Sequence, residues 1–590
     1  MKKFKPHKLN LKRDKDALLS IIKEICAMPK VTDDDVKRVF GKHPDADGHL
    51  FSKSKLNSAY HRLKKLGEVD LEPKIAQKLL LAIQKKRIRT LSGVTPVTVL
   101  TKPYPCPGKC IFCPNDVRMP KSYLASEPGA QRAYNNKFDP YFQTFNRLVA
   151  LKSIGHPTNK VELIVLGGTW TSYPLDYQIW FIKRCFEAMN DFGAVADKNE
   201  VELLDTSKLE MPFDEKNLEE LLGDDLSESY NKVITRALKK SDETEKATWR
   251  ELAVVQEKNE KAKSRCIGLV IETRPDELSK EKVKQIRKLG ATKVQIGIQT
   301  LNDEVLELNN RGHTVTVTRN AFNLLRQAGF KIHAHWMCNL YGSNSKKDVA
   351  DYQKIFSDLA IKPDELKIYP CTLLKSAELM KYYQDGRWKP YTEEELAAVL
   401  IGCYKETPRY CRLTRVIRDF PSDDIVSGNK KTNFRQIVEK KLLDEGVKIM
   451  DVRGREIKDK KVSREELVLK VTEYETDVAY ELFLEFVTES DQIAGFMRLS
   501  LLKQDSFIEE LTGSAIIREI HIYGQSVEVG EKLSGKAQHI GLGKELIEKS
   551  KEIARKKGFE KLSVISSVGT REYYRRNGFK DGELYQFMLL

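Results

Sequence analysis

The run Cys106-Pro107-Gly108-Lys109-Cys110-Ile111-Phe112-Cys113 decides the fold expected for the centre of this 590-residue chain. Its cysteines have the spacing C-x3-C-x2-C, so three thiolates can hold three irons of a [4Fe-4S] cluster. The fourth iron then stays open and can chelate the amino and carboxylate groups of S-adenosylmethionine. A structural zinc site is the alternative, but no second C-x2-C or H-x3-5-H pair lies nearby to complete it. We therefore predict that Cys106, Cys110 and Cys113 bind an iron–sulfur cluster.

This spacing resembles the signature of the radical-SAM superfamily, including the aromatic Phe112 before the last cysteine. The resemblance implies that an electron passed to bound S-adenosylmethionine cleaves it to a 5'-deoxyadenosyl radical. The other cysteines are scattered singly, mostly beside apolar residues, and we predict small core residues at Cys26, Cys185, Cys266, Cys338, Cys371, Cys403 and Cys411.

Around the cysteine run, short β-rich segments alternate with amphipathic stretches. Six such segments are predicted as strands, at residues 97–100, 161–166, 267–271, 294–298, 331–335 and 366–369. Strands with helical connections indicate a parallel sheet curled into a partial (β/α)6 barrel. The cysteine loop follows the first strand, at the carboxyl end of the barrel, where barrels of this kind carry their chemistry.

Changes in composition and hydrophobic periodicity divide the chain into several domains, so the sequence predicts an α/β multidomain protein. Helical periodicity predicts a small basic helical domain first, and a charged stretch inside the barrel is expected to be an exposed helical insertion without catalytic content. A strand meander opens the last domain. The predicted parts are a helical domain at 1–90, the barrel at 91–440 with its insertion at 197–262, a linker at 441–464 and an α+β domain at 465–590.

The net charge of +16 is concentrated at the start of the chain. Residues 1–100 hold 23 Lys and Arg against 11 Asp and Glu, which is +12 of that total. Such an excess can neutralise the phosphates of a polyanion, although a solvated helical face would look the same. No apolar stretch approaches the length of a membrane span, so no membrane partner and a cytoplasmic location are expected.

The end of the chain contains a glycine loop between a predicted strand and a predicted helix, Gln538-His539-Ile540-Gly541-Leu542-Gly543. Glycines there let backbone N–H groups approach a phosphate, aided by the helix dipole. Q-x-x-G-x-G resembles the pyrophosphate loop of GNAT acetyltransferases, which cradles coenzyme A. A strand at 561–566 and the segment 568–579, with Tyr573 and Tyr574, resemble the strand and closing helix of that fold.

A radical-SAM barrel fused to a GNAT domain resembles the Elongator catalytic subunit family, along nearly the whole chain. The segments that carry the likeness are 119–123, 127–128, 138–141, 161–168, 271–276, 310–315 and 518–524. The resemblance implies synthesis of 5-carboxymethyluridine at the wobble position of tRNA, with acetyl-CoA as the source of the carboxymethyl group. It also implies three cofactors: the [4Fe-4S] cluster, S-adenosylmethionine and acetyl-CoA.

The same resemblance assigns the site residues. It implies that Tyr574, with Tyr573 beside it, is catalytic at the thioester. It implies acetyl-CoA contacts from Lys160, Glu519, Ile520, His521, Ile522, Leu542, Gly543, Lys544 and Tyr574. Glu272 and Gln299, at the ends of barrel strands, could bind the ribose or amino group of S-adenosylmethionine, although a strand-end carboxylate is often only a salt-bridge partner.

The expected partners are the anticodon stem-loop of tRNA, an electron donor, and either a second copy of the chain or Elongator-type subunits. Two other functions stay open at this point. A protein lysine acetyltransferase with a structural cluster would use only the GNAT motifs, and a non-catalytic RNA-binding scaffold would use only the basic helices.

Overall fold

The computed structural model describes residues 10–85, 90, 92–196, 201–214, 230–238, 243–418, 420–458, 460, 462–523 and 541–590. The first part is a bundle of four helices, α1 (Leu11–Ala27), α2 (Asp33–Lys42), α3 (Lys53–Lys65) and α4 (Pro73–Ile83). Their apolar faces form a core of their own, as the helical periodicity predicts. Side-chain caps at Asn10, Thr32 and Ser52 fix where the first three helices begin.

The central part is a sheet of seven parallel strands in the order β1-β2-β3-β4-β5-β6-β8. All six predicted strands are present, and the short β8 completes the sheet. Its strands are β1 (Thr95–Leu100), β2 (Lys160–Leu166), β3 (Arg265–Thr273), β4 (Lys293–Gln299), β5 (Lys331–Trp336), β6 (Glu365–Ile368) and β8 (Arg412–Arg415); β7 (Leu373–Leu374) pairs separately with β9 (Ile425–Ser427).

Helices connect these strands, as parallel strands require. They are α5 (Pro128–Asn135), α6 (Pro140–Ser153), α7 (Leu175–Val195), α8 (Tyr230–Ala237), α9 (Trp249–Glu260), α10 (Lys280–Lys288), α11 (Asp303–Leu308), α12 (Val315–Gln327), α13 (Ser345–Ser357), α14 (Leu379–Gln384), α15 (Glu393–Glu406) and α16 (Phe434–Asp444).

The charged insertion is not simply an exposed appendage, and that expectation is wrong for its described part. Met211, Phe213, Tyr230 and Ile234 are buried in a cluster that also contains Leu100 at the end of β1. Apolar burial therefore holds α8 against the carboxyl end of the barrel. The charged runs at 215–229 and 239–242 lie outside the described residues.

The last part is a second seven-stranded sheet in the order β10-β11-β12-β13-β14-β16-β15, antiparallel except for the pair β13 and β14. Its elements are β10 (Val468–Glu475), β11 (Ala479–Val487), β12 (Ile493–Leu502), β13 (Ser514–Ile522), α17 (Leu542–Lys556), β14 (Lys561–Val564), α18 (Arg571–Arg576), β15 (Lys580–Asp581) and β16 (Gln586–Leu589).

The barrel and the second sheet share one continuous hydrophobic core. A fully buried ion-pair cluster crosses the boundary, because Arg518 of β13 donates to Asp364, just before β6, at 2.6 and 2.7 Å. The same guanidinium donates to Glu481 of β11 at 2.8 Å. These contacts fix the amino ends of the barrel strands against β13.

Candidate functional site

The three cysteines of the signature lie on the loop that follows β1. The side chains of Cys106 and Cys110 are buried and that of Cys113 is half-buried. None of them is in a disulfide. Three thiols on one partly enclosed loop match the donor set of a cluster that leaves one iron without a protein ligand.

Two arginine side chains contact the thiol of Cys110, the middle cysteine of the signature. The Nη1 atoms of Arg311 and Arg274 donate to Cys110 Sγ at 3.5 and 3.8 Å. Arg274 is held in place by Asp276 at 2.8 Å and by the backbone oxygen of Arg311 at 2.6 Å. A hydrogen bond from Cys113 and these two positive charges hold the pKa of Cys110 well below its usual value. At Cys110 the site therefore favours the thiolate, which is the form that binds metal.

The insertion helix α8 contributes directly to this loop. Asn231 donates to the backbone oxygen of Cys106 at 2.8 Å, and its Oδ1 accepts from the Cys106 N–H at 2.9 Å. On the same helix, the Tyr230 hydroxyl donates to the backbone oxygen of Met119 at 2.7 Å. These bonds order both ends of the cysteine loop.

A cavity of about 150 Å³, called here the upper cavity, lies beside the loop at the carboxyl ends of the barrel strands. Cys113, Glu272 and Gln299 all line it. The Tyr123 hydroxyl donates to Glu272 at 3.1 Å, and Gln299 Oε1 is buried without a partner among the described residues. The structure thus brings the two candidate S-adenosylmethionine residues together with a cysteine of the signature.

A second cavity of about 330 Å³, called here the lower cavity, lies at the opposite end of the barrel. It is bounded by the amino ends of the barrel strands and by the second sheet. Glu519, Ile520, His521 and Tyr574 line it. Residues that the sequence separates by about fifty positions are therefore gathered in one pocket.

The wall of the lower cavity contains a split between two strands. β13 pairs with β14 only from Ser514 to Ile517, whereas its pairing with β12 continues to Ile522. Residues 518–521 consequently line the cavity beyond the last pair with β14, and Ile522 follows them on β13 without lining it. Backbone groups at such a split can accept a peptide-like chain as an added strand, which is the shape of the pantetheine arm.

Polar side chains in the lower cavity have fixed charge states. Glu519 accepts from Lys331 at 2.5 Å and from Arg498 at 2.9 Å, so these cations lower its pKa. Burial lowers the pKa of His521 to about 4, and its Nε2 has no hydrogen-bond partner among the described residues. His521 is therefore a neutral imidazole at neutral pH.

The two tyrosines of α18 have different places. Tyr574 is buried in the lower cavity, and burial raises its pKa well above the usual value. Tyr573 is half exposed, and its hydroxyl lies 2.6 Å from where a Cβ on Gly543 would be. With its raised pKa, the Tyr574 phenol is neutral and can donate a proton in the cavity. Tyr573 instead covers the start of α17.

The described part of the glycine loop is the start of α17. Gly541 has a positive φ of 80° and, as the residue before the first turn of α17, has no side chain that could cap it. The first backbone N–H groups of α17 therefore suit an anion. Leu542 is buried, whereas Gly543 is half-buried and Lys544 follows it on the helix. Gln538 and the rest of 524–540 lie outside the described residues.

Lys160 begins β2 opposite Arg265 of β3, at the end of the barrel that faces the lower cavity. Burial and the charge of Arg265 lower its pKa. It is not among the residues that line the cavity. The structure therefore places Lys160 at the end of the barrel that faces the lower cavity, but not among the residues that line that cavity.

Sequence reasoning missed Arg274, Arg311 and Asn231. Arg274 and Arg311 lie inside two of the segments that carry the family likeness, at 271–276 and 310–315, so a signal was present for them. Asn231 lies in a charged stretch with no recognisable pattern, and only the fold shows its contact with Cys106.

Three family models match parts of the chain: Radical SAM superfamily at residues 233–351, Radical_SAM C-terminal domain at 363–444 and Acetyltransferase (GNAT) family at 453–579. The fold and the two cavities thus define a class, a radical-SAM barrel joined to an acetyltransferase domain.

Relatives extend over most of the chain. The tRNA uridine(34) acetyltransferase of Methanocaldococcus jannaschii is 35% identical over 85% of this chain and 86% of its own length. Elongator complex protein 3 of Danio rerio is 32% identical over 86% of each chain. The solved structure of archaeal Methanocaldococcus infernus Elp3 with an N-terminal deletion has a TM-score of 0.65 at 31% identity, over 84% of this chain and 99% of that one. The chain belongs to this tRNA uridine(34) acetyltransferase and Elongator complex protein 3 family.

Among the residues that the structure describes, no helix combines the length and the apolar composition that crossing a bilayer requires.

Proposed function

We propose that the protein modifies the wobble uridine of tRNA to 5-carboxymethyluridine, with acetyl-CoA as the source of the two carbons. The observation that carries the proposal is the pair of cavities at opposite ends of one barrel. Candidate S-adenosylmethionine residues line the upper cavity, and candidate acetyl-CoA residues line the lower one. An ordinary acyl transfer would need only the lower cavity, and S-adenosylmethionine cleavage would need only the upper one.

In this proposal Cys106, Cys110 and Cys113 hold a [4Fe-4S] cluster, and Glu272 and Gln299 bind S-adenosylmethionine beside it. When bound, these groups supply a carbon-centred radical. The protein's part is positional: Asn231 orders the loop, and Arg311 and Arg274 donate to Cys110 Sγ. Hydrogen bonds and positive charges at a cluster thiolate favour the reduced, more negative state of the cluster.

In the lower cavity the backbone of Glu519, Ile520, His521 and Ile522 would hold the pantetheine arm, and Leu542, Gly543 and Lys544 the pyrophosphate. Lys160 would meet a coenzyme A phosphate or the acyl carbonyl from the barrel side. The neutral phenol of Tyr574 can donate a proton to the sulfur as the thiolate leaves. The neutral His521, which lines the same cavity, can accept one, since its Nε2 has no partner among the described residues.

The helical domain, proposed at 1–90, would bind the anticodon stem-loop of tRNA. Its charge and the exposed Lys64 and Lys65 at the end of α3 support this assignment. Bases of an anticodon loop are unstacked easily and can enter a pocket. We assign the radical chemistry to 91–440, acetyl-CoA to 465–590 and the connection to 441–464. An electron donor, and a second copy or Elongator-type subunits, are the further partners.

The test is one incubation of the reduced protein with S-adenosylmethionine, acetyl-CoA and tRNA. We expect 5'-deoxyadenosine together with carboxymethylated uridine, and the loss of both in Cys110→Ser. Cys26→Ser, a half-buried cysteine of the helical domain, is the matched control and should behave as the unmodified protein. Acetylated lysine without 5'-deoxyadenosine would instead identify a protein acetyltransferase, and neither product would identify a binding scaffold.

A further inference from the structure

The two cavities face the same barrel from opposite ends, and their linings interleave along the strands. On β2, Glu162 lines the lower cavity and Leu166 the upper one. On β5, Lys331 lines the lower cavity and His335 the upper one, four residues or about 13 Å apart at ~3.3 Å per residue. The two cavities are thus separated, on the described strands, by the interior of the barrel. This interior is here called the lumen.

The lumen is polar where an ordinary closed barrel is filled with Val, Ile and Leu. Cross-lumen contacts show which side chains face inward, because they join strands that are not neighbours. Lys293 of β4 donates to Glu162 of β2 at 2.7 Å and to Glu365 of β6 at 3.1 Å. His333 of β5 is 2.8 Å from Thr414 of β8.

A chain of polar groups continues from these contacts to the upper cavity. Lys367 of β6 donates to Gln295 of β4, whose Oε1 also lies 2.9 Å from His335 Nε2. His335 Nδ1 is 3.7 Å from Glu272, which lines the upper cavity. Lys293 is paired with Glu162 and Glu365, whereas Lys367 and His335 share the amide oxygen of Gln295, so these buried polar groups have hydrogen-bond partners.

On the opposite side of the lumen, two inward residues keep accessible surface. Along β1 and β2 the outward residues Val97, Val99 and Leu163 are fully buried in the core. The inward residues Thr98 and Ile164, which pair across the two strands, keep accessible surface. Their accessibility lies between the levels of the two cavities, since Glu162 and Leu166 flank Ile164 on the same face of β2.

We propose that the lumen is a passage for the two-carbon acyl unit, from the lower cavity to the upper one, along the wall formed by Thr98 and Ile164. This inference rests on the proposed function. A passage is needed because Tyr574, at the proposed thioester position, and the cysteine loop lie at opposite ends of the barrel. Neither cavity by itself connects the two ends. The unit travels either on the pantetheine arm as the thioester or as acetate after hydrolysis, in which water splits acetyl-CoA into acetate and the free thiol.

The test narrows the passage without touching either cavity lining. Ile164→Trp adds a bulky ring at an accessible position, and Ile164→Val is the matched control that leaves space. Three products are measured: 5'-deoxyadenosine, free coenzyme A and carboxymethylated uridine. In Ile164→Trp we expect the first two within a few-fold of the unmodified protein, and modified uridine lower by about tenfold or more, equivalent to about 1.4 kcal/mol at the barrier. Ile164→Val should keep all three.

If Ile164→Trp makes modified uridine in the same ratio to 5'-deoxyadenosine and free coenzyme A as the unmodified protein, the proposed passage is wrong. Loss of either partial reaction in a folded variant would also overturn it, because residue 164 would then belong to a cavity. Thr98→Phe, on the neighbouring strand, repeats the test if Ile164→Trp does not fold. Carbon-13 acetate supplied with unlabelled acetyl-CoA distinguishes the two carriers, since label in the product identifies acetate. Failure of the proposed function is a separate result: the unmodified protein would then make no carboxymethylated uridine.

Discussion

Asn231→Ala should loosen the cysteine loop while leaving the barrel folded. The side chain makes two hydrogen bonds to the backbone of Cys106, at 2.8 and 2.9 Å, and Cys106 is only 9% exposed. A hydrogen bond contributes about 1 kcal/mol net, so the loss is about 2 kcal/mol, or roughly a thirtyfold change in the population of the ordered loop. The loss exceeds this value if the Cys106 groups stay buried and unpaired.

The assay is the rate at which a chelator removes iron from the reconstituted protein, read from the visible absorbance of the cluster. We expect iron loss to be about ten- to thirtyfold faster in Asn231→Ala, following the loop population. The control is Thr235→Ala, an exposed position one turn along α8 whose hydroxyl donates to the backbone oxygen of Asn231 within the helix. Equal rates in the two variants, with the same melting temperature, would refute the reasoning and leave α8 as a packing element.

Four further outcomes are expected. Cys110→Ser should lose iron and 5'-deoxyadenosine formation while its circular dichroism stays unchanged; undiminished uridine modification would contradict the cluster assignment. Tyr574→Phe should slow tRNA-dependent acetyl-CoA hydrolysis by about 10² to 10⁴-fold with iron content unchanged, whereas Tyr573→Phe, over Gly543, should act mainly on the KM for acetyl-CoA. Deleting residues 1–85 should lower the slope of log affinity for tRNA against log salt by roughly 0.9 for each phosphate that the helical domain neutralises; an unchanged slope would move tRNA binding to the barrel. Burial lowers the pKa of His521 from 6.5 to about 4. Between pH 6.5 and pH 4 the unfolded chain therefore binds more protons than the folded protein, and stability falls as the pH drops through this range. His521→Gln should flatten this part of the profile of melting temperature against pH.

The local patterns of the sequence predicted the elements well. Alternating β-rich and amphipathic segments identified six of the seven barrel strands, because each of the six contains a short run of apolar and β-branched residues at adjacent or alternate positions. The seventh, Arg412–Arg415, was missed since four residues with charged ends carry no such run. The described insertion was mistaken for an exposed segment, because its few apolar residues are spread among many charges and only their burial against Leu100 distinguishes them.

Site chemistry divides in the same way. Spacing alone marked Cys106, Cys110 and Cys113 and the glycine loop, since both motifs act through neighbours in the chain. Only the tertiary structure decided that the cysteine loop and Tyr574 lie at opposite ends of one barrel, that Asn231 orders the loop, and that Lys293 and Glu162 face each other inside it. These contacts join residues more than a hundred positions apart, and their positions follow from strand order and packing, which no local pattern encodes.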